Sequence, residues 1–248
     1  MPLGKGITIV HTADLHGSLD YELADRLASL KPEDGLHLNC GDSVKSGNLA
    51  FPLKADRAWA LLSRARCDVG VPGNREIHIT EAGFHAKLRG CLHTLVCANL
   101  FDREGRLVLP PSAQIEVGGV RVGIVGAMVP FLTRHMKMYR TSKYVWEQPI
   151  ECAVREAESI RGQVDCLIAL THTGLHTDRE LAAAYPRFDL IVGGHSHTKM
   201  TEPLLVSGVP ILHTGAHGHL AGVYRWVPGE GLTEARWETL KEPLRKSG

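Results

Sequence analysis

Short apolar runs recur along the chain, and most are followed by a stretch with helical spacing. "GITIV" (6–10) precedes Tyr21–Leu30, where Leu23, Leu27 and Leu30 fall at i, i+4 and i+7, one face of a helix. "LHLN" (36–39) precedes a helix predicted over 51–63. "DVGV" (68–71) precedes one over roughly 80–88, with Thr80 as its N-cap. "TLVCA" (94–98) predicts a further strand, and "QIEVGGVRVGIVG" predicts a hairpin with strands over 113–117 and 120–125 around Gly118-Gly119. Residues 147–161 have helical spacing, "CLIAL" (166–170) reads as a buried strand, and 179–184 is again helical. "LIV" (190–192), "PIL" (210–212) and "GVYRWV" (222–227) complete the strands. After about residue 228 the pattern turns polar, a tail with one last strand near 235–239. Alternation of this kind predicts an α/β layered domain. With no internal repeat and no low-complexity linker, it is expected to span 1–248 as one unit.

Bulk properties narrow the functional classes. The 248 residues are 44% hydrophobic and 22% charged, an ordinary globular balance with enough chain for a sizeable core. A formal net charge of +1 gives no electrostatic reason to expect nucleic acid or an anionic membrane as partner. No apolar run is long enough to cross a bilayer, and "MPLGKGITIV" does not read as a signal peptide. The six cysteines form no CxxC pair and mostly sit beside apolar residues, so reduced thiols in a cytoplasmic protein are expected.

Residues able to do chemistry stand where the apolar runs end. After "TIV" come Asp14 and His16; after "LHLNC", Gly41-Asp42; after "VGVP", Gly73-Asn74; after "LIAL", His172; after "LIV", His195 and His197. In α/β sheets ligand sites gather at the carboxyl ends of strands, so residues scattered through the sequence can meet at one point. Carboxylate, carboxamide and imidazole donors suit borderline divalent metals: Mn, Fe, Zn, Co or Ni. One shared carboxylate would hold two such ions about 3.5–4 Å apart. Two dications against two aspartates leave the site positive, and so attractive to phosphate.

The ordered set D-x-H, G-D, G-N, H, G-H-x-H resembles the calcineurin-like metallophosphoesterase superfamily. "TADLHG", "LNCGDSVKSGNL", "CDVGVPGNRE", "VCANLFDREG", "VGGVRVGIVGAMVP", "THTG" and "FDLIVGGHSHT" are similar to the catalytic domain of bacterial 5′-nucleotidase-like enzymes, over about residues 7–224. The resemblance implies a four-layer αββα sandwich with a dinuclear site at one sheet edge. It implies that Asp14, His16, Asp42 and His197 hold one metal and Asp42, Asn74, His172 and His195 the other, Asp42 bridging. It implies hydrolysis of a small phosphorylated molecule, nucleotide-like or a sugar phosphate, by in-line attack of a metal-held hydroxide. A phosphodiesterase or pyrophosphohydrolase would use the same site. The C-terminal substrate domain of the secreted 5′-nucleotidases has no counterpart in this sequence, so their nucleotide preference does not transfer.

One loop departs from the family pattern. Family members read G-N-H-[DE], the His being the catalytic acid or transition-state stabiliser, with an Asp three residues on in the nucleotidase branch. Here those positions are Arg75 and His78. Arginine cannot deliver a proton at a useful rate, but it can clamp a phosphoryl oxygen, or it pairs with Glu76 or a nearby acid. His78 is either a general acid or a hydrogen-bonded loop residue. Were neither to act, the chain would be a metal- and phosphate-binding module of little turnover. His213, directly after "PIL", is expected to place substrate or to stand behind the ligands. His217 and His219 read equally as polar loop residues, His11 as structural and Ser43 as a turn residue. The stretch 131–146 carries Arg134, Lys137, Arg140 and Lys143 without an acid. It reads either as a cationic lid, with Arg134 and Arg140 on the substrate, or as a solvated loop or subunit contact.

Overall fold

The computed structural model describes residues 6–241. The elements run β1 (Ile7–Thr12), α1 (Tyr21–Leu30), β2 (Gly35–Asn39), α2 (Arg57–Arg64), β3 (Val69–Gly70), α3 (Glu81–Leu88), β4 (Thr94–Leu95), β5 (Leu100–Asp102), β6 (Ser112–Val117) and β7 (Val120–Met128). They continue with β8 (Tyr144–Trp146), α4 (Pro149–Ile160), β9 (Cys166–His172), α5 (Leu175–Ala184), β10 (Leu190–Gly193), β11 (Leu204–Val206), β12 (Val209–His213), β13 (Leu220–Val227) and β14 (Gly231–Thr239). One sheet has the order β14-β13-β1-β2-β3-β4 and the other β11-β12-β10-β9-β7-β6, while β5 and β8 make a small ribbon.

The period-2 alternation of the strands builds the layers. In β9, Cys166, Ile168 and Leu170 join Ile7, Ile9, Leu36 and Leu38 of the other sheet in one core between the sheets. The intervening Leu167 and Ala169 face outward and pack with Ala153 and Ala157 of α4 and Leu181 of α5. On the far side, Leu23 and Leu27 of α1 and Leu61 and Leu62 of α2 cover Val10 and Ala221. Helices, sheet, sheet and helices therefore stack in the αββα order expected.

Helix starts follow the polar residues that can cap them. Asp20 accepts from Leu23 N at 2.9 Å and Thr80 from Gly83 N at 3.2 Å. The second helix starts later than its apolar pattern predicted. Asp56 caps it at Ala58 N (3.0 Å), and Leu53, counted toward the helix, is 87% exposed. Up to residue 241 the stretch after 228 is no tail, and the remainder of the predicted tail lies outside the described residues. β14 pairs along its length with β13, and only Leu232, Ala235 and Trp237 of its residues pack on the core, which is why it reads as polar. Trp237 Nε1 also donates to the carbonyl of His213 at 2.8 Å, tying this edge strand to the second sheet. The last three residues of the basic stretch form β8, with Tyr144 and Trp146 buried. Among the described residues no helix is long and apolar enough to cross a membrane, and all six cysteines are free thiols.

Candidate metal centre

Strands β1, β2 and β3 run parallel, as do β7, β9, β10 and β12. Asp14 and His16 follow β1, Asp42 follows β2 and Asn74 follows β3; His172 ends β9, and His195 and His197 follow β10. The loops after β1 and β2 keep pairing past the strands: Asp14 N donates to Gly41 O (3.0 Å), His16 N to Asp42 O (2.8 Å) and Gly17 N to Ser43 O (2.9 Å). His195 N donates to Asp14 Oδ2 at 2.9 Å, joining the two sheets at this edge.

The backbone is under tension where the ligands stand. Asp14, His16, Asp42, His195 and His197 all have positive φ, between 49° and 75°. Non-glycine residues rarely adopt that region, and they are held there only when the surroundings over-determine it. Glu76 supplies much of that constraint. It is buried, and its two carboxylate oxygens accept from four amides: Asp42 N (2.8 Å), Gly73 N (2.9 Å), Ser43 N (2.8 Å) and Val44 N (3.1 Å). A Cβ on Gly73 would run into the Asp42 carboxylate, so only glycine lets the β3 loop lie against this ligand.

The donors form two connected groups. Asp14, His16 and His197 place ligand atoms within 4.8 Å of one another, as do Asp14, Asp42 and His172. His172 Nε2 also lies 3.3 Å from Asn74 Oδ1 and 3.2 Å from His195 Nδ1. Asp14 is thus common to both groups, while Asp42 stands between His16 (4.0 Å) and His172 (3.7 Å). Orientation is supplied from behind. His172 Nδ1 is held by the carbonyl of Cys40 at 2.6 Å, which presents Nε2 to the cleft. Asn74 Nδ2 donates to Asn48 Oδ1 at 3.0 Å, which turns the carboxamide oxygen the same way.

A divalent cation fits this arrangement. Asp14 Oδ1 and His16 Nδ1 are buried without any hydrogen-bond partner, and His16 Nε2 and His197 Nε2 face each other at 2.9 Å. Burial raises the Asp14 carboxyl to about 8, against the His195 amide, and raises Asp42 to about 7, aided by the Glu76 charge. Burial lowers His16 and His172 to about 3, with smaller contributions from Arg75 on the first and His195 on the second, and it also lowers His195 and His197. Neutral imidazoles are competent ligands, and a dication removes the cost of the two buried carboxylates.

An open cleft of about 450 Å³ lies over the donors, lined by His16, Asp42, Asn48, Asn74, Arg75, His195 and His197 with Gly47. Arg75 stands beside the site: its amide donates to Asp42 Oδ1 at 2.7 Å and its Nε lies 3.9 Å from Asp42 Oδ2. His78 is not in the cleft wall. Its Nδ1 bonds Thr80 N (3.1 Å) and Thr80 Oγ1 (2.8 Å), and its ring packs on Gly83 and edge-on to Phe51. Those contacts are what the loop-residue alternative describes. His213 is 1% exposed and bonds Asp178 Oδ2 at 2.7 Å, so it stands behind the site and cannot touch substrate. Arg134 and Arg140 are exposed and line no part of the cleft; Arg134 borders a separate 530 Å³ pocket with Tyr139 and Trp146. His11 is buried between Tyr224 OH (3.0 Å) and Cys40 Sγ (3.3 Å), and Ser43 Oγ donates to Asn39 Oδ1 (2.9 Å).

Sequence reading missed Glu76, Asn48 and Asp178. Glu76 beside Arg75 reads as an ion pair, although its burial next to Ile77 follows from the apolar packing of that turn.

The layered fold and this donor set define a metallophosphoesterase-type domain. The profile of the calcineurin-like phosphoesterase family matches residues 7–199, and the chain belongs to that family of phosphoric ester hydrolases. It is 29% identical over 226 residues to Protein 5NUC of Lutzomyia longipalpis, covering 77% of this chain and 39% of that one. It is 24% identical over 229 residues to the uncharacterized metallophosphoesterase YunD of Bacillus subtilis, covering 87% and 49%. Among solved structures, the 5′-nucleotidase precursor of Thermus thermophilus superposes with a TM-score of 0.75 at 25% identity, over 94% of this chain and 54% of that one. The chain thus spans half or less of the length of these two curated relatives.

Proposed function

We propose that the chain hydrolyses a small phosphorylated molecule at this cleft with two divalent transition metal ions, manganese among the candidates. The observation that carries the reading is the convergence of Asp14, His16, Asp42, Asn74, His172, His195 and His197 from five strand ends, with Asp14 Oδ1 buried and unpartnered at their centre. When bound, the ions supply Lewis acidity toward a phosphoryl oxygen and water. Asp14, Asp42 and the imidazoles hold them, while Asn48 and the Cys40 carbonyl fix the aim of Asn74 and His172. Arg75 places a permanent cation at the cleft wall, where it clamps a non-bridging oxygen and stabilises charge developing on it.

Every imidazole lining the cleft is in the ligand set, and His78 points elsewhere. The His217 ring stands outside that lining, 5.0 Å from the His16 ring, and among the side chains lining the cleft none is left to protonate a poor leaving group. That favours substrates whose leaving group needs no proton, a phosphoanhydride or an ester of an acidic alcohol, over simple alkyl monoesters.

Metal analysis with a panel of monoesters, diesters and pyrophosphates tests the reading. About two metal ions per chain and hydrolysis that steepens with leaving-group acidity are expected. Arg75→Ala should lower kcat about 100-fold with metal content unchanged, whereas Arg75→His, which restores a proton donor, should flatten the leaving-group dependence. His78→Ala should leave turnover unaltered. A fully metallated protein that hydrolyses nothing on the panel would sink the enzyme reading and leave the binding module.

A further inference from the structure

A second groove opens directly beside the metal cleft, with His197 in the walls of both. Its volume is about 550 Å³, and its wall includes Lys199, Thr214, His217, His219 and Lys241 and, among the described residues, no aspartate or glutamate. We infer that this groove is a subsite for a second phosphoryl group on the substrate, so that the preferred substrate carries two phosphates. The inference rests on the proposed phosphoester hydrolysis at the adjacent cleft.

The groove is anchored to the metal centre. His217 N donates to the carbonyl of Asp14 at 2.8 Å, and the His217 ring centre lies 5.0 Å from that of His16. His217 itself has φ 60°, a conformation its surroundings must impose on a residue with a Cβ. Gly215 N donates to Thr198 O at 2.9 Å, which joins the far wall to the His195–His197 loop. An anion in the groove is therefore placed in register with one over the donors.

The wall also offers what a phosphoryl group needs. The Lys199 ammonium is exposed and makes no ion pair or side-chain hydrogen bond among the described residues. The Lys241 ammonium is already engaged, by Ser18 O at 2.6 Å and Asp20 Oδ2 at 3.5 Å, so Lys199 is the available cation. Thr214, 2% exposed, has a buried hydroxyl without a partner in this same wall. An unpaired buried hydroxyl is costly, and a bound oxyanion nearby lets it donate. His217 adds a further imidazole to the wall, while His219 Nδ1 is turned to the carbonyl of Lys241 at 3.5 Å.

The test uses the metal-loaded protein and non-hydrolysable probes. Calorimetry compares methylphosphonate with a series of α,ω-alkane bisphosphonates having three to six methylenes. One spacer length should bind about 10-fold or more tightly than methylphosphonate, the gain expected of a second tethered contact. Lys199→Glu should abolish that gain, read as the ratio of bisphosphonate to methylphosphonate affinity in the same protein, and Lys199→Arg should retain it. A bisphosphonate series no tighter than methylphosphonate overturns the inference, as does a gain that survives Lys199→Glu. The hydrolysis reading has its own arm: turnover of p-nitrophenyl phosphate, which carries one phosphate. Loss of that turnover in the wild type with a clear bisphosphonate gain would separate failure of the reaction from failure of the subsite.

Discussion

At the scale of single residues, the centre depends most on a side chain that meets no substrate. Glu76 offers two carboxylate oxygens to four amides, two of which belong to Asp42 and its neighbour Ser43. Replacing it with Gln puts an NH2 group where two of those amides point, so donors face donors. A hydrogen bond to a charged group contributes about 1.5–3 kcal/mol, and a stranded buried amide adds a desolvation cost to its loss. Glu76→Gln is expected to destabilise the fold by about 3 kcal/mol in urea melts and to weaken metal binding, because Asp42 loses its fixed backbone. An unchanged midpoint would show that water replaces the carboxylate. Arg75, whose amide bonds the Asp42 carboxylate, sits at the hinge of this loop, so the residue that replaces the usual histidine is also fastened to a ligand.

At the scale of elements, α5 connects the helical layer to the ligand-bearing loop after β10. Asp178 on α5 is wholly buried; it accepts from Thr173 Oγ1 at 2.6 Å and bonds His213 Nε2 on β12 at 2.7 Å. Gly193, the last residue of β10, fits between because any Cβ there would strike both Asp178 and His213. Asp178→Ala leaves His213 and Thr173 unpaired in the interior. A loss of about 2–3 kcal/mol is expected from the stranded buried donors, together with lower metal occupancy at His195, readable by metal titration of the variant. Normal stability and occupancy would mean the pair is only tolerated. The elements also show what the sequence could disclose. Ligands at strand ends were legible because the strands are buried on both faces and read as mostly apolar runs, each followed within a few residues by Asp, Asn or His. The ribbon β5–β8 was not, since three-residue strands carry no period. His78 was not, because residue spacing along an irregular loop does not give direction; its ring turned to Thr80, the cap of α3. His213 pointed to the right edge, and only the buried Asp178 shows which way it faces.

At the scale of the whole molecule, stability, pH and metal are linked through buried titratable groups. Burial lowers His37 and His93 to about 4 and His16 and His172 to about 3, and it lowers His11, His195 and His197 as well. A histidine with a depressed folded pKa stabilises the protein above its unfolded value near 6.5, and that contribution is lost as pH falls toward 4. Asp14 and Asp42 behave oppositely in the metal-free protein. Their folded pKa values, about 8 and about 7, lie above the unfolded value, so the stability they contribute is present below about pH 4 and lost as pH rises through 7 and 8. Seven histidines outweigh two carboxylates on the acid side; above about pH 6.5 the carboxylates erode stability, joined toward pH 8.5 by the cysteine thiols that burial raises. The chelated protein should therefore melt highest near pH 6.5 and less stably both at pH 5 and at pH 8.5. Metal reverses the alkaline limb, because it binds the ionised carboxylates and stabilises by the logarithm of its concentration over Kd, about 4 kcal/mol at 1,000-fold excess. Thermal melts from pH 5 to 8.5, with and without EDTA, should thus diverge as pH rises, the metal-loaded protein gaining where the chelated one loses. Parallel curves across that range would mean that Asp14 and Asp42 do not hold the metal.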